Sequence, residues 1–165
     1  MLRLSAVSEG NPGIYETIDK MRVLALGPSP RLDALARQLS LAHPGASSYV
    51  LAAAAHRWLL DHLSYTPDHP DVEELTEPEL LLAQVENRGH GVGDCDDYSL
   101  LAAGLLVRLG VAAEFVVAST RADRVYDHVY VQARTQLGPV PMDAIFGQPF
   151  GWSARGFTAR EAIRV

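Results

Sequence analysis

The chain has 165 residues, of which 48% are hydrophobic and 21% are charged, a composition typical of a globular protein. The formal net charge is −6 and the 14 Lys and Arg residues are scattered, which argues against a nucleic-acid-binding surface. We therefore expect one domain over residues 1–165 and no nucleic-acid partner.

The cysteine content and the hydropathy of the sequence indicate the cellular compartment in which we expect the protein. Cys95 is the single cysteine, so a disulfide within the chain is excluded. No run of about 18 apolar residues occurs, and residues 1–13 lack an apolar stretch of signal-peptide length. We therefore expect a cytoplasmic protein without a membrane span. A lone cysteine is then either a small buried apolar residue or a reactive thiol.

The first half of the sequence favours helices. Residues 1–13 have no periodic pattern and end in Gly10-Asn11-Pro12-Gly13, so we expect an irregular segment there. Thr17 is predicted to cap the first helix. Helices are expected over residues 18–26, residues 31–42 and residues 47–63, the third beginning at Ser47 or Ser48.

An acidic, proline-containing connector over residues 65–78 is predicted to be a solvated loop. Pro78 then suits the first turn of a fourth helix. Gly89, Gly91 and Gly93 predict a flexible loop. A strongly apolar helix follows, with Asp94 at its N-cap, Cys95 in its first turn and Gly110 just past its end.

The second half changes to β-rich runs. Strands are expected over residues 111–119, 127–134 and 138–145, with a polar, hairpin-like turn at residues 121–124. Pro139 and Pro141 restrict the third strand to a sheet edge or a bulge. Helices followed by hairpin-connected strands predict an α+β fold with a small antiparallel sheet.

The surroundings of Cys95 favour a reactive thiol. A free thiol has a pKa of about 8.5, and a helix N-terminus favours the thiolate, because its backbone N–H groups and dipole stabilise negative charge. Gly93 would leave room for a substrate carbonyl, and the N–H of Cys95 would point toward an oxyanion. Asp94, Asp96 and Asp97 act in the opposite direction, so a cationic partner is required.

Six histidines could supply that cation, and His128 is the best placed of them. It opens a predicted strand, and Asp143 on the next strand could accept its second ring N–H and stabilise the imidazolium. His90, in the glycine stretch, is the main competitor. A metal site using His90, Asp94, Cys95 or His128 is an alternative, but the spacing matches no zinc pattern, so we expect no metal or cofactor.

Three stretches resemble the core of the transglutaminase-like superfamily: GDCDDYSLLAAGLLVRLGV at 93–111, DHVYV at 127–131 and PMDAI at 141–145. That superfamily has a papain-like cysteine protease fold with a Cys, His, Asp order. The resemblance implies Cys95 as nucleophile, His128 as base and Asp143 as orienting residue. It also implies a helical N-terminal extension over 1–45, a catalytic core over 46–146 and a C-terminal tail over 147–165.

The resemblance implies acyl transfer through a thioester, on a peptide or protein amide, ending in hydrolysis or transamidation. Gly93, Asp94 and Gln84, the nearest upstream glutamine, are the candidates for substrate or oxyanion contacts. Residues 17–21, TIDKM, are similar to the N-terminal part of members encoded in phage and prophage gene clusters. An inactive binding or assembly module, for example a phage structural component, is therefore the alternative.

Overall fold

The computed structural model describes residues 2–4, 11–67, 73–144 and 147–165. Within these ranges the chain forms five helices and eight strands. The helices are α1 (Asn11–Leu26), α2 (Pro30–Ala42), α3 (Ser48–His62), α4 (Pro78–Arg88) and α5 (Cys95–Arg108). The strands are β1 (Leu2–Leu4), β2 (Leu63–Tyr65), β3 (Glu73–Leu75), β4 (Gly91–Gly93), β5 (Ala112–Ser119), β6 (His128–Thr135), β7 (Gly138–Met142) and β8 (Ala159–Arg164).

Helix α5 lies at the centre of the fold. All its residues from Asp96 to Leu106 are buried, as expected for a helix that is covered on every side. The other four helices pack against it, and β5 and β6 cover it from the sheet side. Leu100, Leu101 and Leu105 are fully buried, and each such side chain stabilises the fold by about 1.5–3 kcal/mol.

The main sheet has four antiparallel strands in the order β7-β6-β5-β8. Side chains alternate across it, so that Val129 and Val131 join the core around α5. Tyr130 lies on the opposite face with Val116, where Phe157 packs on them. Both faces of the central strands are therefore covered, one by α5 and one by the segment that leads into β8.

Helix α1 is attached closely to α5. The Arg108 guanidinium donates hydrogen bonds to the carbonyl oxygens of Ala25 (2.8 Å) and Gly27 (2.6 Å) at the end of α1. Gly104 makes this close approach possible, because a Cβ at that position would lie 2.8 Å from Leu32 Cδ2 and 3.2 Å from the Ala25 carbonyl oxygen. Near the N-terminal end of α1, Tyr15 donates a 2.6 Å hydrogen bond to Glu161 of β8.

The predicted α+β class with an antiparallel sheet is confirmed. Three of the predicted helices correspond closely to α2, α3 and α4, and the proline-bearing strand β7 lies at a sheet edge, where its missing N–H donors cost no ladder bonds. Gly110 follows α5 with a φ of +73°, the left-handed conformation that suits a residue past a helix end.

The predicted start of α1 is wrong. The helix begins at Asn11 rather than at residue 18, and Thr17 is buried within it instead of capping it. Pro12 is compatible with this start because a proline in the first turn lacks only an N–H that would have no helical acceptor. The remaining residues of the predicted irregular segment, 1 and 5–10, lie outside the described ranges.

Short strands replace two of the predicted loops. The glycine stretch contains β4, which pairs in parallel with β2, and the acidic connector contains β3 and begins at the last residue of β2. Residues 68–72 of that connector, and residue 145 at the end of the third predicted strand, lie outside the described ranges. Strand β8 was not predicted, because its glycine-rich approach hides its period. The assignment of 1–45, 46–146 and 147–165 to separate parts stays a prediction.

None of the helices in the described ranges is both long enough and apolar enough to cross a membrane.

We expect Gly104→Val to destabilise the protein by about 1–3 kcal/mol, because the added methyl groups would overpack the contact between α5 and the Ala25 backbone. Helix propensity alone predicts a small gain for the same change. Chemical denaturation monitored by circular dichroism measures the difference. A variant as stable as the wild type would contradict the close helix crossing.

Candidate active site

Cys95 occupies the first residue of α5, directly after strand β4, and its side chain is partly exposed. Asp94 takes the N-cap position with an extended backbone, and its carbonyl oxygen accepts the N–H of Tyr98 at 3.1 Å. Its side chain makes no capping hydrogen bond, so Asp94 caps the helix by backbone conformation only. Cys95 thus lies in the first turn of α5, whose backbone N–H groups have no acceptor within the helix.

Gly93 is required by packing inside the protein. A Cβ on Gly93 would lie 2.5 Å from the Asp97 Oδ2 atom and 2.6 Å from its Cβ. The Asp97 carboxylate also accepts the backbone N–H of Thr76 at 2.6 Å, which ties α5 to the chain just after β3. Gly93 therefore leaves room for the Asp97 side chain. The sequence predicted a different role for Gly93, that of leaving room for the substrate.

Ser99 connects the first turn of α5 to β6. Its buried hydroxyl lies 2.6 Å from the Cys95 carbonyl oxygen and 3.2 Å from the Val129 carbonyl oxygen. One hydroxyl proton is shared between these two acceptors. The turn that carries Cys95 and the strand that begins at His128 are thereby fixed relative to each other.

His128 and Asp143 are brought together by neighbouring strands of the sheet. The His128 Nε2 atom lies 3.0 Å from Asp143 Oδ2, and the Asp143 side chain is completely buried just past the end of β7. Because an ionised carboxylate only accepts hydrogen bonds, Nε2 carries the proton of the neutral ring. Nδ1 is then the nitrogen that can accept a proton from a substrate or a thiol.

Cys95 and His128 line the same cleft, which has a volume of about 300 Å³. Helix α1 forms one wall of the cleft, and the turn before β6 forms part of another. The lining residues are Ile14, Thr17, Ile18, Met21, Tyr65, Asp94, Cys95, Asp96, Tyr126, Asp127, His128 and Val129.

Gln84 and His90 are not among the described residues that line this cleft. The Gln84 side-chain oxygen accepts the N–H of Val92 at 3.2 Å, which joins α4 to β4. His90 is exposed at the turn between α4 and β4. The structure therefore does not bring Gln84 to the thiol, and His90 is not placed as the partner of Cys95.

A group of three carboxylates lies beside the thiol. Oxygen atoms of Asp94, Asp96 and Asp97 lie within 4.8 Å of one another. Asp97 is occupied by the N–H of Thr76, and an Asp96 oxygen accepts the N–H of Asp97 at 2.8 Å. The set differs from the ligands considered from the sequence, since it contains neither a histidine nor the cysteine.

His56 was missed in the sequence as part of this region. It is buried on α3, its Nε2 lies 2.9 Å from the Gln148 carbonyl oxygen, and burial lowers its pKa although the bond to Gln148 and the charge of Asp143 oppose that shift. Its position on the buried face of α3, with Ala52, Ala55 and Leu59, was the available signal. His56 is therefore a buried histidine with a lowered pKa, close enough to Asp143 for the charge of that carboxylate to act on it.

Two aromatic rings adjoin His128. The ring of Tyr130 lies 5.8 Å from the His128 ring and that of Phe157 lies 6.4 Å away, centroid to centroid, each inclined by 26°. Phe157 precedes β8 and comes from the segment whose structure the sequence did not indicate. No periodic signal in the sequence could have placed it beside His128.

Comparison with known proteins concerns the family and the fold of the chain. The sequence profile of the core of the transglutaminase-like superfamily matches residues 34–152. A search of curated proteins found no significant match. A solved structure of a candidate protease from Parabacteroides distasonis is similar with a TM-score of 0.61 and 13% identity, over 78% of this chain and 25% of that chain.

A candidate cysteine protease from Cytophaga hutchinsonii is similar with a TM-score of 0.48 and 15% identity, over 87% of this chain and 55% of that chain. The chain thus spans a quarter of the first protein and about half of the second. The first likeness supports the fold, in which helices pack on an antiparallel sheet.

We expect Ser99→Ala to destabilise the protein by about 1–3 kcal/mol, because the buried Val129 carbonyl oxygen loses its hydroxyl donor. Ser64→Ala, at an exposed position of β2, should change the stability by less than about 0.5 kcal/mol. Denaturant unfolding of the two variants measures both effects. Equal stabilities would show that the connection between α5 and β6 contributes nothing.

The buried His56 should make stability depend on pH. Its folded-state pKa lies below the ordinary 6.5, so as pH falls through that value the unfolded chain binds a proton that the folded chain does not. Stability is therefore lost on acidification below about pH 6.5. His56→Gln should reduce this loss in thermal unfolding, whereas His62→Gln, at a partly exposed position of α3, should retain it. If wild type and His56→Gln lost the same stability on acidification, the lowered pKa of His56 would not be the cause of that loss.

Proposed function

Because the chain belongs to the transglutaminase-like superfamily, we propose that it is a cysteine-dependent hydrolase of peptide or protein amides. In this proposal Cys95 is the nucleophile, His128 the general base and acid, and Asp143 the residue that orients the base. The observation that carries it is the bond from His128 Nε2 to the buried Asp143, with His128 and Cys95 in one cleft.

The proposed reaction begins with proton transfer from the Cys95 thiol to His128 Nδ1. The thiolate sulfur then bonds to the amide carbonyl carbon, and the carbonyl electrons move to oxygen to give a tetrahedral oxyanion. The oxyanion collapses, the C–N bond breaks, and the imidazolium gives its proton to the leaving amine. A thioester to Cys95 is the product of this half-reaction.

Water completes the reaction in the second half. His128 takes a proton from a water molecule as the water oxygen attacks the thioester carbonyl, and the C–S bond then breaks to release the carboxylic acid and the thiol. An amine in place of water would give transamidation. We favour water because the cleft is open to solvent at the partly exposed Cys95.

Asp143 suits the role of the orienting residue. Its side chain is fully buried, so the bond to Nε2 is shielded from solvent, and such charge-assisted bonds are strong in a low-dielectric site. The bond fixes the tautomer with Nδ1 available for the thiol proton. A positive charge on His128 during the reaction would also be stabilised by this carboxylate.

The backbone of α5 supplies the proposed oxyanion donor. The N–H of Cys95 is among the first four of the helix, which have no acceptor within it, and the helix dipole favours negative charge at this end. Gln84 is not used in this proposal, because it does not line the cleft that holds Cys95 and His128. The Cys95 N–H is kept from the sequence prediction and Gln84 is left out.

The experiment that tests the proposal is the pH dependence of Cys95 alkylation by iodoacetamide in the full chain. We expect the wild type to react well below pH 7, and His128→Ala to shift the midpoint toward about 8.5, the value of an isolated thiol. His62→Ala, which removes a histidine from outside the cleft, should leave the profile unchanged. Mass spectrometry of the labelled protein locates the modification.

Identical profiles for wild type and His128→Ala would overturn the assembled thiol–imidazole pair. That result would favour the alternative, an inactive transglutaminase-like module that binds or assembles with a partner, such as a phage structural component. Retention of the alkylation shift together with failure to cleave any member of a mixed peptide library would contradict the hydrolase assignment itself. It would favour transamidation, which the incorporation of a fluorescent primary amine measures.

A further inference from the structure

The hydrogen bond between His128 and Asp143 does not by itself fix the imidazole plane. It holds one ring atom, Nε2, at 3.0 Å from Asp143 Oδ2, and together with the Cβ–Cγ bond it limits rotation of the ring but still allows small changes of the ring plane. A ring that turns carries Nδ1 away from the cleft. A second contact, on the face of the ring, is needed to hold Nδ1 in place.

Phe157 is positioned to make that contact. Its ring and the rings of His128 and Tyr130 form a stacked group, with centroid distances of 6.4 Å to His128 and 6.3 Å to Tyr130 and inclinations of 26° and 17°. These distances fall within the range in which aromatic pairs attract each other. Tyr130 is buried in the sheet, so Phe157 is the peripheral member of the group.

The backbone beside Phe157 is fixed. Thr158 donates its N–H to the Ser119 carbonyl oxygen at 2.8 Å, and its hydroxyl lies 3.2 Å from the same oxygen. Strand β8 begins one residue later and pairs with β5. Gly156 precedes Phe157 with a φ of +84°, a left-handed conformation that turns the chain toward the sheet.

We propose that Phe157 is a positioning residue that holds the His128 imidazole in the orientation required for proton exchange with Cys95. The inference rests on the proposed function, since it concerns the same base. It gives the C-terminal segment a part in the site. The Phe157 ring of that segment packs beside the His128 ring, while Asp143 holds His128 through a hydrogen bond.

Replacing Phe157 changes no formal charge beside His128, because phenylalanine carries none. The Arg160 guanidinium lies over the Tyr130 ring, 5.8 Å from its centroid. The titratable and charged groups of the described chain that line the cleft or adjoin His128 are Tyr65, Asp94, Cys95, Asp96, Tyr126, Asp127, Tyr130, Asp143 and Arg160. A change in Cys95 reactivity on replacing Phe157 would thus report the loss of the ring that packs beside His128, and not a change of charge.

The test compares Phe157→Ala, Phe157→Tyr and Phe150→Ala in the iodoacetamide assay. Phe157→Ala should lower the Cys95 alkylation rate at pH 6 by about 2- to 10-fold, the effect of losing one aromatic pair, and move the profile to higher pH. Phe157→Tyr retains the ring face and should restore the rate to within about 2-fold.

Phe150→Ala is the matched control. Phe150 is also partly buried and lies in the same segment, but its ring contacts are Tyr49 (5.1 Å) and His56 (5.7 Å) on α3 rather than His128. It should lose stability in thermal unfolding, as Phe157→Ala does, yet keep the wild-type alkylation profile. A general effect of loosening the segment would instead move both alanine variants together.

The outcomes separate this inference from the proposed function. If His128→Ala shifts the profile while Phe157→Ala matches the wild type, the base is assembled and the positioning role is wrong. If Phe150→Ala reproduces the effect of Phe157→Ala, or Phe157→Tyr fails to restore the rate, the positioning role is also wrong. If His128→Ala itself has no effect, the proposed function fails first.

Discussion

The contact between α5 and β6 is the constraint on which the rest of the arrangement depends. The helix carries Cys95 at its first residue and the strand carries His128 at its first residue, so the two residues meet only if these ends align. Apolar packing by the buried helix provides most of the free energy, and the Ser99 hydroxyl sets the register by contacting the carbonyl oxygens of Cys95 and Val129. Apolar packing, which is non-directional, holds α5 against β6, and the directional hydrogen bonds of Ser99 align the two elements.

The other elements serve this contact in different ways. Strand β7 brings Asp143 to Nε2 of His128, and its prolines are tolerated because it is an edge strand. Helix α1 closes one side of the cleft and is held by Arg108 at the far end of α5. The candidate site is therefore built from distant parts of the sequence, and each part is fixed by contacts of its own.

The sequence was most informative where local chemistry determines structure. A glycine-rich approach, an N-cap residue and an apolar run sufficed to place Cys95 at a helix start, and a run rich in β-branched and aromatic residues placed His128 at a strand start. Long-range pairing was not readable: β4 pairs with β2 in parallel, and β8 joins the sheet beside β5. Phe157 reaches His128 through the pairing of β8, so no local signal marked it, whereas His56 could have been found from its place on the buried face of α3. The triad roles themselves stay predictions.

Burial of α5 on every side has a consequence for motion. A helix whose residues from Asp96 to Leu106 are all buried can shift only by opening the core, so its amides should be among the slowest in the protein to exchange with deuterium. The turn before β6, another wall of the cleft, is exposed at residues 121–124 and 127 and has far less packing to disrupt. Cys95 should then stay in place when a molecule binds. The cleft should adjust to that molecule at the turn before β6.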